Sequence, residues 1–135
     1  MPKTPDQKVI EQIEAGIVAM LDEKGRGLSF VNLEEITGFS GNVTMFAGKA
    51  NVVLWQGVSI EAIHAILSLE DAGIIEFNSA SLLTYRTDGK FLRLPLADLQ
   101  TISSIKKNLH NKYSSPHWLP MLFLKGKNFQ KQVVV

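Results

Sequence analysis

Apolar residues near the start of the chain fall at three- and four-residue spacing. Ile10, Ile13, Ile17, Met20 and Leu21 recur in this way, which is the period of one helix face. Ahead of them Thr4, Pro5 and Gln7 read as an N-cap, a proline in the first turn and a capping-box partner, and Gly25 in "EKGRG" closes the pattern. The spacing therefore predicts a helix from Thr4 to about Gly25. "LSFVNL" then reads as a short strand, and "NLEEITGF" as a brief helix capped by Asn32 with Glu35 three residues on. From Gly38 to Val58 the chain has four glycines and no helical period, although "NVVLW" suits either a buried strand or the end of a helix.

The second half is patterned more clearly. Ser59 caps a helix that sets Ile60, Ile63, and Ile66 or Leu67 on one face, with Glu61 near the positive end of the helix dipole. Gly73 is the residue expected to end it in the left-handed conformation. "IIEF" follows as a strand. "SLLTYRT" and "KFLRLPL" read as a hairpin about Asp88-Gly89, because Asp-Gly between β-rich runs is a strong turn signal. On that hairpin the period of two sends Leu92, Leu94 and Leu96 inward and leaves Phe91 and Arg93 projecting together. "ADLQTISSIKKNLHNKY" keeps helical spacing through Leu99, Ile102 and Leu109. "SSPHWLPMLFL" breaks at Pro116 and continues as a short strand or an extended strap.

The order helix, short strand, helix, irregular link, helix and hairpin is similar to a winged helix-turn-helix. The residues carrying the likeness are Ser59, Glu61, Ala62, Leu69, Gly73, Ile74 and Ile75 in "SIEA…LEDAGII", with the "TYRTDGKFLRL" hairpin in the place of a wing. The resemblance covers residues 4–96 and implies an α+β, winged-helix-like core. Residues 97–124 add a C-terminal helix and strap, residues 125–135 form a tail, and the whole 1–135 is read as one domain. It also implies a module associated with nucleic acid or transcription.

Charge changes which surface such a module would use. The 135 residues carry a formal net charge of +1 and a mildly basic pI. Yet the acids crowd into the first 85 residues and the bases into the last 50. The Ser59 helix has no lysine or arginine, and Glu61, Glu70 and Asp71 lie on it or at its end. DNA affinity comes largely from Lys and Arg displacing counterions from phosphate, so this helix is a poor candidate for the major groove. The expected nucleic-acid surface is instead Arg86, Lys90, Phe91 and Arg93 on the hairpin with Lys106, Lys107 and Lys112 on the following helix. Glu61, Glu70 and Asp71 are expected to meet a protein partner or a second copy, and an assembly module that never touches nucleic acid is the alternative reading.

Catalytic and metal chemistry find little support. With no cysteine there is no disulfide, thiolate nucleophile or zinc knuckle. Ser40 in "TGFSGN" has glycines at the wrong spacing for a nucleophile elbow, and Gly48-Lys49-Ala50 lacks the Ser/Thr of a phosphate loop. His110 and His117 have no carboxylate companions at ligand spacing, and His64 sits on a largely apolar helix. The adjacent Glu34 and Glu35 diverge on a helix and read as capping residues, while Trp55 and Trp118 read as core anchors. The chain is thus expected to act by binding, with no cofactor and no metal. The absence of an apolar leader or membrane-length run points to the cytoplasm.

Overall fold

The computed structural model describes residues 4–47, 51–97 and 113–129. Its elements in chain order are α1 (Gln7–Lys24), α2 (Phe30–Leu33), β1 (Ser40–Phe46), β2 (Val52–Val58), α3 (Ile60–Asp71), β3 (Ile75–Ser79), α4 (Leu82–Asp88), β4 (His117–Trp118) and β5 (Met121–Lys125). The architecture is α+β. The helix expected from "ADLQTISSIKKNLHNKY", with Lys106, Lys107 and Lys112, lies outside the described residues, as does most of the expected tail.

The first helix forms, but its cap is Asp6 rather than Thr4. The Asp6 carboxylate accepts from the amides of Lys8 at 3.0 Å and Val9 at 3.4 Å, satisfying two of the first-turn donors that have no intrahelical partner. Gly25 ends α1 at φ 62° as its position predicts. Ile10, Ile13, Ile17 and Leu21 are buried and pack with Ala62, Ala65, Ile66 and Leu69 of α3. Of the two residues left open on α3, Ile66 is buried and Leu67 is 50% exposed. Full burial of such a side chain stabilises by about 1.5–3 kcal/mol, so this α1–α3 seam is a major part of the core.

"LSFVNL" is not a strand. Leu28 makes one bridge to Phe123, and Ser29 then starts α2 through a reciprocal box in which its hydroxyl accepts from Asn32 N at 3.4 Å and Asn32 Oδ1 accepts from Ser29 N at 3.0 Å. Asn32 thus closes the cap from inside the helix instead of opening it.

The link from Gly38 to Val58 resolves into an antiparallel hairpin, β1 against β2, with register shifts along β1. β4 lies parallel on the other side of β2, giving the order β1-β2-β4. The central strand reads as a nearly continuous apolar run, with Val52, Val53, Leu54 and Trp55 all buried, as a strand flanked on both edges should. A second sheet pairs β3 with β5, from Ile75↔Lys125 to Ser79↔Met121. Its corner is tight. Gly73 holds φ +76° as the C′ residue of α3, and a methyl group on Gly126 would run into the Gly73 carbonyl.

The expected hairpin over residues 81–96 is replaced by α4 and an irregular segment. Helical geometry separates what a strand would have put on one face: Tyr85 is fully buried and Leu83 is 70% exposed. Asp88-Gly89 works as a helix stop, since Gly89 at φ 100° takes the left-handed C-cap and its N–H returns to the carbonyls of Tyr85 and Arg86. Beyond it Leu92 and Leu94 still turn toward the core while Phe91 and Arg93 stay exposed. The alternation therefore holds from Phe91 to Leu94 and then stops: Leu96, expected to turn inward, is 48% exposed where the chain makes a single parallel bridge to Trp118.

Aromatic rings fill the centre. Trp55 lies parallel to Phe30 with centroids 5.6 Å apart and meets Tyr85 at 5.3 Å; Tyr85 meets Trp118 edge-on at 5.1 Å. Both tryptophans are core anchors, at 2% and 0% exposure. They differ in one respect: among the described residues the Trp118 indole N–H has no hydrogen-bond partner, whereas that of Trp55 is bonded.

Candidate binding cleft

The site grows out of the contacts between α2 and α4. Ser29 Oγ, fully buried, donates to Asp88 Oδ2 at 2.6 Å, while the Tyr85 hydroxyl accepts from Phe30 N at 3.1 Å and donates to the Met121 carbonyl at 2.6 Å. Burial pushes the Tyr85 hydroxyl pKa upward, and the Asp88 charge adds to the rise, against hydrogen bonds to the Phe30 and Met121 backbone that lower it. These bonds fix where α4 ends, and therefore where the chain emerges after Gly89.

Emerging there, Lys90 reaches back across the α2 C-terminus. Its ammonium lies 2.7 Å from Glu34 Oε1, and the other oxygen, Oε2, accepts from Trp55 Nε1 at 2.9 Å. A carboxylate is thus held between an indole from β2 and a cation from the post-α4 segment. Beside it opens a cleft of about 510 Å³, lined by Glu34, Trp55, Gln56, Gly57, Gly89, Lys90, Phe91, Leu92 and Arg93. Such a volume suits a small molecule or one unit of a polymer. Phe91 is 52% exposed, and Arg93 has no acidic partner among the described residues.

Of the residues singled out from sequence, Lys90, Phe91 and Arg93 come together in this cleft. Arg86 is exposed on the last turn of α4 and is not part of its lining. Lys106, Lys107 and Lys112 lie outside the described residues. Glu61 is engaged within the chain: its Oε2 accepts from the Asp6 amide at 3.0 Å, tying the start of α1 to the start of α3. Glu70 and Asp71 are exposed at the far end of α3.

Glu34 is a capping residue, as its place in the sequence suggests, since it forms the C-cap of α2, but nothing in the sequence connected its carboxylate with Trp55. One signal was present: a tryptophan in a buried strand still carries an N–H that needs an acceptor. His117 stacks on Tyr113 at 3.8 Å between ring centroids and its Nδ1 bonds the Ser115 carbonyl at 2.9 Å, while Trp118 is turned into the core. Among the described residues no cluster of His, Asp and Glu could hold a metal ion, and no helix is long and apolar enough to cross a membrane. No protein-family model, curated protein or solved structure matches the chain.

Proposed function

We propose that the protein is a non-catalytic binding module that takes a nucleic-acid strand along the cleft beside α2 and the 89–93 segment. The observation carrying this is the convergence of Lys90, Phe91 and Arg93 on one open cleft, with the Arg93 charge uncommitted among the described residues. Phosphate is attracted by the two cations, and an exposed ring provides a face on which a base stacks. The acidic end of α3, with Glu70 and Asp71, repels a phosphate backbone, so the module does not read bases with that helix. The winged-helix likeness then rests on α3, Gly73 and β3 alone, because α4 and the segment after it replace the hairpin expected as a wing. Arg86, Lys106, Lys107 and Lys112 belong to the proposal as further positive charge, and a cytoplasmic, transcription-related role goes with it.

A second reading is favoured by one observation. Leu67 is half-exposed on α3 beside Glu70 and Asp71, an apolar point with an acidic border that suits a protein partner or a second copy.

The test is a titration of labelled single-stranded and duplex oligonucleotides across salt. Arg93→Glu is expected to weaken binding and to reduce the slope of log affinity against log salt by about one or more, as loss of a phosphate contact does. If neither strand nor duplex binds at low salt, the nucleic-acid reading fails. A change of oligomeric state with Leu67→Ser or Glu70→Lys would then favour the second reading.

A further inference from the structure

Attraction for phosphate leaves one part of the cleft without a use. Glu34, its side chain 16% exposed, is fixed by two bonds, one from a buried indole and one from Lys90, whose side chain is 61% exposed. The two donors sit on different oxygens. An ionised carboxylate has about four lone-pair sites, so each Glu34 oxygen keeps acceptor capacity after these bonds. The indole bond orients the carboxylate, since Trp55 is itself held against Phe30 in the core. The Lys90 bond is an exposed ion pair, of the kind that is weak and readily exchanged.

Three kinds of recognition therefore meet in one space: a pair of oriented acceptors, a half-exposed aromatic ring, and two cations. A purely anionic ligand would use only the last and would be repelled by the first. We infer that the cleft binds one nucleotide unit, with its base edge on Glu34, its ring against Phe91, and its phosphate on Arg93 and Lys90. This rests on the nucleic-acid reading above and sharpens it, because the acceptor pair selects among bases. Guanine presents adjacent imino and amino donors on its Watson–Crick edge, one for each oxygen. Adenine and cytosine offer a single amino group next to an acceptor. Uracil and thymine offer one N–H between two carbonyls, which a carboxylate repels. The cleft is accordingly specific for guanine, in a single strand or as a free nucleotide, where the Watson–Crick edge is accessible.

The experiment compares the full chain binding two labelled strands at one salt concentration, one all thymine and one with a single central guanine, with guanosine monophosphate as competitor. The guanine strand is expected to bind about tenfold tighter or more, the scale of a good bidentate base contact. Glu34→Gln keeps an oxygen for the Trp55 indole while replacing one acceptor with a donor, and is expected to bring the two affinities within about twofold of each other. Should Glu34→Gln fail to fold by circular dichroism, Phe91→Ala, at an exposed ring, is expected to weaken both strands. Displacement by the monophosphate assigns a free nucleotide as ligand, whereas guanine-dependent strand binding without displacement assigns a strand. Equal affinity for the two strands overturns the guanine inference and leaves the nucleic-acid reading standing. Absence of any binding at low salt overturns both.

Discussion

Removing the Tyr85 hydroxyl with Tyr85→Phe should cost far more than the loss of one oxygen suggests. That hydroxyl is the acceptor for the Phe30 amide at 3.1 Å and the donor to the Met121 carbonyl at 2.6 Å, inside a core where Tyr85 has no exposed surface. The Phe30 amide is in the first turn of α2, where the helix supplies no acceptor of its own. Phenylalanine keeps the ring contacts with Trp55 and Trp118 but leaves a buried donor and a buried acceptor to find other partners. Each such orphan costs about 1–3 kcal/mol. The expected destabilisation is about 2–4 kcal/mol, a large share of the 5–15 kcal/mol typical of a folded domain. Urea unfolding followed by tryptophan fluorescence measures it, both tryptophans being next to the substituted ring. With a slope of about 2 kcal/mol per molar, the midpoint should fall by roughly 1–2 M without a change in slope. A fall worth less than about 0.5 kcal/mol would refute the reasoning, because it would mean that Tyr85 does not bridge α2 and β5 from a helical α4.

The same hydroxyl gives a pH signature. Its pKa is raised in the folded protein, so the folded state holds the proton more tightly and the contribution is complete below the ordinary tyrosine value near 10. Stability should fall as pH rises above about 10, by at most about 1.4 kcal/mol per pH unit from this group; the difference between the wild-type and Tyr85→Phe curves isolates it, and parallel curves would contradict it. At the β3–β5 corner Gly126→Ala should destabilise by about 3 kcal/mol, since the new methyl displaces the Gly73 carbonyl that also accepts from Asn128 N at 2.9 Å. Gly25→Ala, with open space around it, should cost only about 1 kcal/mol for its left-handed backbone; thermal melts that rank the two the other way would be inconsistent with the corner described.

Helix periodicity was the most legible signal, because α1 and α3 each bury one stripe against the other and local caps mark their ends. Ser59, Gly25 and Gly73 could be read for that reason. The hairpin over 81–96 was misread because Asp-Gly serves both as a tight turn and as a helix stop. Only the tertiary demand that Tyr85 be buried while Leu83 is not decides between them. β1 was illegible because its pairing is irregular and its burial does not alternate. In the cleft, Phe91 and Arg93 were found through a two-residue period that holds over residues 91–94 and fails at Leu96. Glu34 was legible as a cap but not as part of a cleft, because its side-chain partners, Trp55 and Lys90, stand 21 and 56 residues away, and no local pattern announces a contact at that range.

Both sheets wait for the same late piece of chain. β4 completes one by pairing Val52 with His117, and β5 completes the other by pairing Ile75 with Lys125. As the chain is synthesised, α1, α3 and the β1–β2 hairpin therefore emerge long before the strand that covers them. Trp55 and Phe30 have no Trp118 or Phe123 to close on until then. Non-local pairings of this kind slow folding and prolong exposure of apolar surface. A ribosome-bound chain halted before residue 117 should consequently remain protease-sensitive and a client for chaperones, and should become resistant once residues 117–125 have cleared the exit tunnel.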